Sequence, residues 1–174
     1  MIMPKESENL VYQLKVTLRE SKPPVWRRLL IPATYNLCQL HQIIQVAMGW
    51  TDSHLHQFII EDKYYSIPSP DDWKPVLDER RFKLNQLFPS NGYKFIYEYD
   101  FGDSWEHQIL IEKILPPESS LKHPVCIKGR RACPPEDIGG IWGYEEFLAA
   151  MQDDEFDPEE FDIEEVNAIL QHLK

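Results

Sequence analysis

Tyr93, Phe95, Tyr97 and Tyr99 alternate with Lys94, Ile96, Glu98 and Asp100. The pattern breaks at Phe101-Gly102-Asp103-Ser104, then a strand-like run resumes at Trp105 and continues to Ile114. A period of two puts successive side chains on opposite faces of a pleated strand, and two such runs joined by a short glycine turn make an antiparallel hairpin. The same alternation covers residues 11–19, with Tyr12, Leu14, Val16 and Leu18 on one side and Gln13, Lys15, Thr17 and Arg19 on the other. Pro23-Pro24 turns that strand into a second one over residues 25–31, closed by Pro32, because proline has no N–H to continue a ladder. Residues 54–60, turned by Glu61-Asp62-Lys63 into residues 64–67, form a third hairpin.

Helical spacing appears in three places. Asn36 followed by Gln39 reads as a capping box, and Leu40, Ile43, Ile44 and Ala47 recur at helical intervals until Gly49 can stop the helix, so residues 37–48 are expected to be helical. Tyr144, Phe147, Leu148 and Met151 line one face of a short helix, and Val166, Ile169, Leu170 and Leu173 repeat the spacing behind an Asp162 cap. Residues 68–92 read as a surface connection with one apolar turn at Leu84, Leu87 and Phe88, and the stretch from Pro116-Pro117 to Gly143 as a loop. The expected fold is one α+β domain over residues 1–174: a curved, largely antiparallel, roll-like sheet built from three hairpins, one helix packed on it and two C-terminal helices. Residues 1–10 are expected to form a flexible N-terminus, and residues 134–174 an acidic helical part of the same domain.

A chain of 174 residues can bury roughly 70% of its unfolded surface, so it needs neither metal nor disulfide to fold. No apolar run approaches the ~18 residues of a membrane span, and Met1-Ile2-Met3-Pro4-Lys5-Glu6 lacks the apolar core of a signal peptide, which points to the cytoplasm. Three cysteines then read as reduced thiols, although Cys126 and Cys133 could pair under oxidation. Net charge is -11, and residues 134–174 carry 13 acidic side chains against one basic. Such a segment repels phosphate, so direct nucleic-acid binding is not expected, and no basic recognition helix is visible.

Polar residues gather in three places. His54 and His56 would share a strand face, as two ligands of one cation do, or would serve a turn cap and a hydrogen-bond network. Asp100 and Asp103 flank a glycine turn, where they can offer oxygens to a cation or accept turn N–H groups. His107 falls on an inward face with Ile109 and Ile111 and needs a polar partner, for which the turn aspartate is the expected acceptor. The candidate ligand pocket comprises Tyr99, Asp100, Asp103, Trp105, His107, Glu136 and Asp137, with the loop over residues 126–140 folded onto it. The candidate metal set is His54, His56, His107, Cys126 and Cys133, for zinc or another divalent cation, against the plainer reading of buried thiols. Glu136-Asp137 could instead pair with Arg130 and Arg131 inside one loop. Motifs for phosphate loops, zinc proteases and serine hydrolases are missing.

His54-Leu55-His56-Gln57-Phe58, Tyr99-Asp100-Phe101-Gly102-Asp103-Ser104-Trp105-Glu106-His107 and Gly129-Arg130-Arg131-Ala132-Cys133-Pro134-Pro135-Glu136-Asp137-Ile138-Gly139-Gly140 together resemble the plasmid pRiA4b ORF-3-like family. The likeness runs from about Tyr12 through Pro24-Val25-Trp26-Arg27-Arg28 to Phe161-Asp162-Ile163-Glu164-Glu165-Val166-Asn167. It implies a single α+β domain in a family without an established activity, some of whose members travel as insertion-sequence passengers. The residues themselves lead to a cytoplasmic, non-enzymatic binding module for a small molecule or protein. The alternatives are a metal-dependent hydrolase using His54, His56, Asp103 and His107, and a DNA-transaction accessory acting through protein contacts.

Overall fold

The computed structural model describes residues 9–117, 121–151 and 156–173. In chain order its elements are β1 (Val11–Leu18), β2 (Trp26–Pro32), α1 (Leu37–Met48), β3 (His56–Ile60), β4 (Lys63–Ser66) and β5 (Val76–Asp78). A 3-10 turn (Glu79–Arg81) and α2 (Leu84–Leu87) lead to β6 (Lys94–Tyr99), β7 (Trp105–Leu115), β8 (Val125–Arg130), α3 (Gly140–Ala150) and α4 (Ile163–Leu170). The strands form one open sheet in the order β5-β4-β3-β6-β7-β1-β2-β8, antiparallel throughout except where β5 lies parallel to β4.

All three expected hairpins are present, as β1–β2, β3–β4 and β6–β7. Alternation sorts their faces: Tyr12, Leu14, Val16 and Leu18, Phe95, Tyr97 and Tyr99, and Trp105, His107, Ile109 and Ile111 are buried. Helix α1 covers this face, burying Leu37, Leu40, Ile43 and Ile44, while its residues His41 and Gln45 reach the Tyr97 hydroxyl of β6. The capping box of Asn36 and Gln39 is complete, and Gly49 ends the helix in the left-handed conformation at φ 90°.

Four local features differ from the sequence reading. The 68–92 connection contributes β5, and the 116–143 loop contributes β8, so Cys126 sits in a strand. Both are edge strands with little alternation to reveal them. β8 also contains Gly129, where a Cβ would fall 2.4 Å from the Phe161 ring and 3.0 Å from Arg27 Cδ. Strand β3 starts at His56, which leaves His54 in the preceding link. Helix α3 starts at Gly140 rather than Tyr144, because glycines that depress helix propensity are there required by close packing. The expected flexible segment falls mostly on residues 1–8, outside the described residues, whereas Leu10 packs on the core and its carbonyl accepts from Ala33 N–H.

The exposed edge of β8 is closed by one side chain. Asn167 of α4 accepts the Cys126 N–H through Oδ1 at 2.8 Å and donates Nδ2 to the Cys126 carbonyl at 2.9 Å, completing the ladder as a neighbouring strand would. Asn167→Asp keeps the acceptor and loses the donor, setting a carboxylate against a carbonyl. Thermal denaturation should show it less stable by about 1–3 kcal/mol, and an unchanged Tm would show that the amide does not anchor the helix.

Candidate functional site

Gly49 turns the chain sharply off α1, so that Trp50 folds back onto the sheet. Its ring lies 5.1 Å from Tyr99, 5.7 Å from Trp105 and 5.2 Å, edge-on, from His107, and its indole N–H donates to the Pro134 carbonyl at 3.1 Å. The next contact along the same seam is a hydrogen-bonded carboxylate. Tyr99 donates its hydroxyl proton to Glu136 Oε1 at 2.6 Å and accepts from the Ser53 N–H, while Thr51 Oγ1 donates to Glu136 Oε2 at 2.8 Å. Burial disfavours the Glu136 carboxylate, but the bonds from Tyr99 and Thr51 outweigh it and hold its pKa below the ordinary value. Desolvation, followed by the bond to Glu136, pushes the Tyr99 phenol up.

The turn between β6 and β7 supplies the second wall. Asp100 adopts φ 62°, donates its N–H to the Leu55 carbonyl, and accepts from Gly102 N–H at 3.1 Å and Asp103 N–H at 3.4 Å through Oδ1. Turn scaffolding thus occupies one oxygen. The other, Oδ2, lies 3.6 Å from His54 Nε2. Asp103 Oδ2 accepts from Gly139 N–H at 3.2 Å, so this aspartate joins the turn to the third wall. There Asp137, at φ 60°, brings Oδ1 to 2.8 Å from His54 Nε2. A Cβ at Gly140 would sit 2.3 Å from the Asp103 carbonyl oxygen, and one at Gly143 1.6 Å from that of Ile138, so only glycine permits this docking. A cleft of about 220 Å³ opens beside Asp103, lined by Arg19, Ser104, Trp105, Ile141 and Trp142 among others.

The structure therefore brings His54, Asp100 and Asp137 together, ringed by Tyr99, Asp103 and Glu136. It separates the rest of the expected set. His56 points from β3 into a buried network in which its ring stacks on His41 with centroids 3.4 Å apart and planes 6° from parallel. His56 Nε2 lies 2.6 Å from Glu79 Oε1, and His41 lies 2.7 Å from the Tyr97 hydroxyl and 2.8 Å from Asp52 Oδ1. Ring lone pairs lie in the ring plane, so two parallel stacked imidazoles do not converge on one ion. His107 is fully buried, and its Nδ1 meets the Tyr97 carbonyl at 3.1 Å rather than the expected turn aspartate. Burial lowers its pKa to about 4. Trp105, likewise buried, is a core wall.

Cys126 and Cys133 are free thiols whose pKa values burial raises, and the nearby charge they share is the Arg27 guanidinium. A buried cation there opposes a dication between them, and neither thiol belongs to a histidine cluster among the described residues. Arg131 pairs with Glu159 at 2.9 Å, not with Glu136 or Asp137. His41, Asp52 and Glu79 were missed in the sequence reading. The available signal was positional: His41 and Gln45 fall on the buried face of α1, where a polar side chain requires a partner.

An α+β protein with an open eight-stranded sheet and an acidic, histidine-bearing junction of three loops is the class these features define. The chain belongs to the plasmid pRiA4b ORF-3-like protein family, whose pattern it matches over residues 10–171. It is similar to the uncharacterized protein y4hQ of Sinorhizobium fredii (strain NBRC 101917 / NGR234), with 43% identity over 144 residues, 82% of this chain and 74% of that one. Its fold is similar to the crystal structure of a protein of unknown function, MM3350 from Methanosarcina mazei Go1, with a TM-score of 0.81, 36% identity, and coverage of 90% of this chain and 96% of that one. Among the described residues no helix is long and apolar enough to cross a membrane.

A pH dependence follows from His107. Its pKa is depressed in the folded state, so below the unfolded value of about 6.5 the unfolded chain binds a proton that the folded chain does not. Its contribution is complete above that pH and is lost as pH falls towards about 4. Urea unfolding at pH 7 and pH 5 should show stability falling with acid, and His107→Gln should flatten the fall by up to about 1.4 kcal/mol per pH unit. Parallel curves for the two proteins would contradict this assignment.

Proposed function

We propose that this chain is a non-enzymatic binding module that takes a cationic ligand where the 50–55 link, the 100–104 turn and the 134–140 loop meet. One observation carries the reading: His54 Nε2 and carboxylate oxygens of Asp100 and Asp137 all lie within 4.8 Å of one another. Among the described residues, neither carboxylate forms an ion pair with a lysine or arginine; the side chain that meets both is His54. Two carboxylates held this close favour a positive partner. Leu55, Phe101 and Trp142, exposed by 72%, 46% and 75%, follow the three polar residues closely in sequence and offer apolar contact to whatever binds. The net charge of -11 draws cations in and opposes nucleic acid. Three free thiols suit action in a reducing cytoplasm.

Calorimetric titration of the full chain with Zn²⁺, Mn²⁺, spermidine and tetra-arginine tests the reading. At least one cation should bind saturably at one site, and Asp137→Asn should weaken it about tenfold or more, the loss of one close charge–charge contact. Duplex DNA should not bind. The reading fails if no cation binds tighter than millimolar, or if Asp100→Asn and Asp137→Asn leave binding unchanged.

A further inference from the structure

We infer that the ligand is a divalent transition-metal ion coordinated by His54 Nε2, Asp100 Oδ2 and Asp137 Oδ1, an inference that rests on the cation-binding reading above. The direction of the imidazole nitrogen separates a metal site from a simple loop latch. His54 Nε2 is buried and lies 2.8 Å from Asp137 Oδ1, yet it makes no hydrogen bond to that oxygen or to any other atom. An imidazole nitrogen presents its proton or lone pair along one in-plane direction, and a 2.8 Å approach without hydrogen-bond geometry leaves that direction uncommitted beside the two carboxylates. The histidine in the other cluster behaves differently: His41 Nε2 is hydrogen-bonded to Asp52 at 2.8 Å, and its ring is stacked flat on His56.

The spacing agrees with coordination. Ligand atoms about 2.0–2.2 Å from a common ion lie roughly 3.0–3.5 Å apart at adjacent octahedral or tetrahedral positions. The two separations from His54 Nε2, 2.8 Å to Asp137 and 3.6 Å to Asp100, bracket that range. Supporting hydrogen bonds are also of the kind that orient metal ligands. Asp100 Oδ1 is held by the N–H groups of Gly102 and Asp103, which leaves Oδ2 to face the histidine. The loop bearing Asp137 is pinned on either side, by Tyr99 to Glu136 and by Gly139 N–H to Asp103.

One imidazole with two carboxylates is a borderline donor set, suited to Mn²⁺, Fe²⁺ or Zn²⁺; an all-oxygen cage for Ca²⁺ or a thiolate site would read differently. Three protein ligands leave further coordination positions for water or an exchangeable donor.

The test uses the full chain, stripped with chelator, dialysed, and titrated with Zn²⁺ and Mn²⁺, with bound metal counted by elemental analysis. One equivalent per chain is expected, with affinity lowered about tenfold or more by His54→Gln or Asp137→Asn and unchanged by Asp52→Asn, which probes the neighbouring cluster. Circular dichroism confirms that each variant is folded, and the side chain of Asp137 is 66% exposed, so its replacement spares the core. Electron paramagnetic resonance of the Mn²⁺ form should show a nitrogen coupling that His54→Gln removes. If folded wild-type protein binds neither metal, or if Asp52→Asn abolishes binding while Asp137→Asn does not, the assignment is overturned. If metals fail but spermidine or tetra-arginine binds through Asp137, the metal inference falls and the cation-binding reading stands; if nothing binds, both fall.

Discussion

Everything at the loop junction hangs on the indole of Trp50. The side chain is 7% exposed, and a buried indole must place its N–H on an acceptor; it uses the carbonyl of Pro134, a residue 84 positions away. The ring meanwhile fills the space over Tyr99, Trp105 and His107, so the same side chain is both a core residue of the sheet and the anchor of the 131–140 loop. A loop rich in proline and glycine has little ordering of its own. Once Trp50 fixes Pro134, Glu136 arrives within reach of Tyr99 and Thr51, and Asp137 and Gly139 within reach of His54 and Asp103. A rigid scaffold thereby positions the loop that bears Glu136 and Asp137.

Arg27 makes a parallel argument on the other side of the loop. It is 1% exposed, and its guanidinium donates to the carbonyls of Ala47, Trp26 and Arg130 while stacking 3.8 Å above the Phe161 ring. Burial lowers its pKa to about 10, still high enough for the group to remain charged at neutral pH. A buried charge of this kind is tolerated only when its hydrogen bonds are met, and here they join the end of α1 to β2 and β8. It also assigns the neighbouring thiols: beside a fixed cation, and with their own pKa values raised by burial, Cys126 and Cys133 pack as neutral groups.

Where an element's signal is local, the sequence reveals it. The hairpins could be read because alternation is a property of adjacent residues, and α1 because its caps lie at both ends of its apolar stripe. β5 and β8 could not: one is three residues long directly after Pro75, and the other trades alternation for Gly129 so that Phe161 and Arg27 can approach. The start of α3 was obscured in the same way by Gly140 and Gly143, whose purpose appears only when Asp103 and Ile138 are seen against them. His54, Asp100 and Asp137 are each conspicuous in sequence, and the folding of the 126–140 loop onto the aspartate turn is an expectation of the sequence. Which residues meet there is not legible, because it depends on contacts such as Tyr99 to Glu136 and Thr51 to Glu136, spanning 37 and 85 residues.

The pair His54 and His56 shows how a short spacing can divide rather than unite. Strand β3 begins between them, so His56 takes the inward direction of the pleat while His54 stays in the link that faces Asp100 and Asp137. Inside, Glu79 is fully buried, where a carboxyl group requires a close partner, and His56 Nε2 lies 2.6 Å from its Oε1. His41 stacks on His56, and burial, followed by the proximity of His56, lowers the His41 pKa to about 4, so His41 packs as a neutral ring at pH 7. The 2.6 Å contact meanwhile commits His56 Nε2 to Glu79. Of the two histidines, only His54 keeps a buried ring nitrogen close to two carboxylates and unbound to either by a hydrogen bond, and that is the observation on which the proposed cation site rests in preference to the neighbouring group of His41, Asp52 and His56.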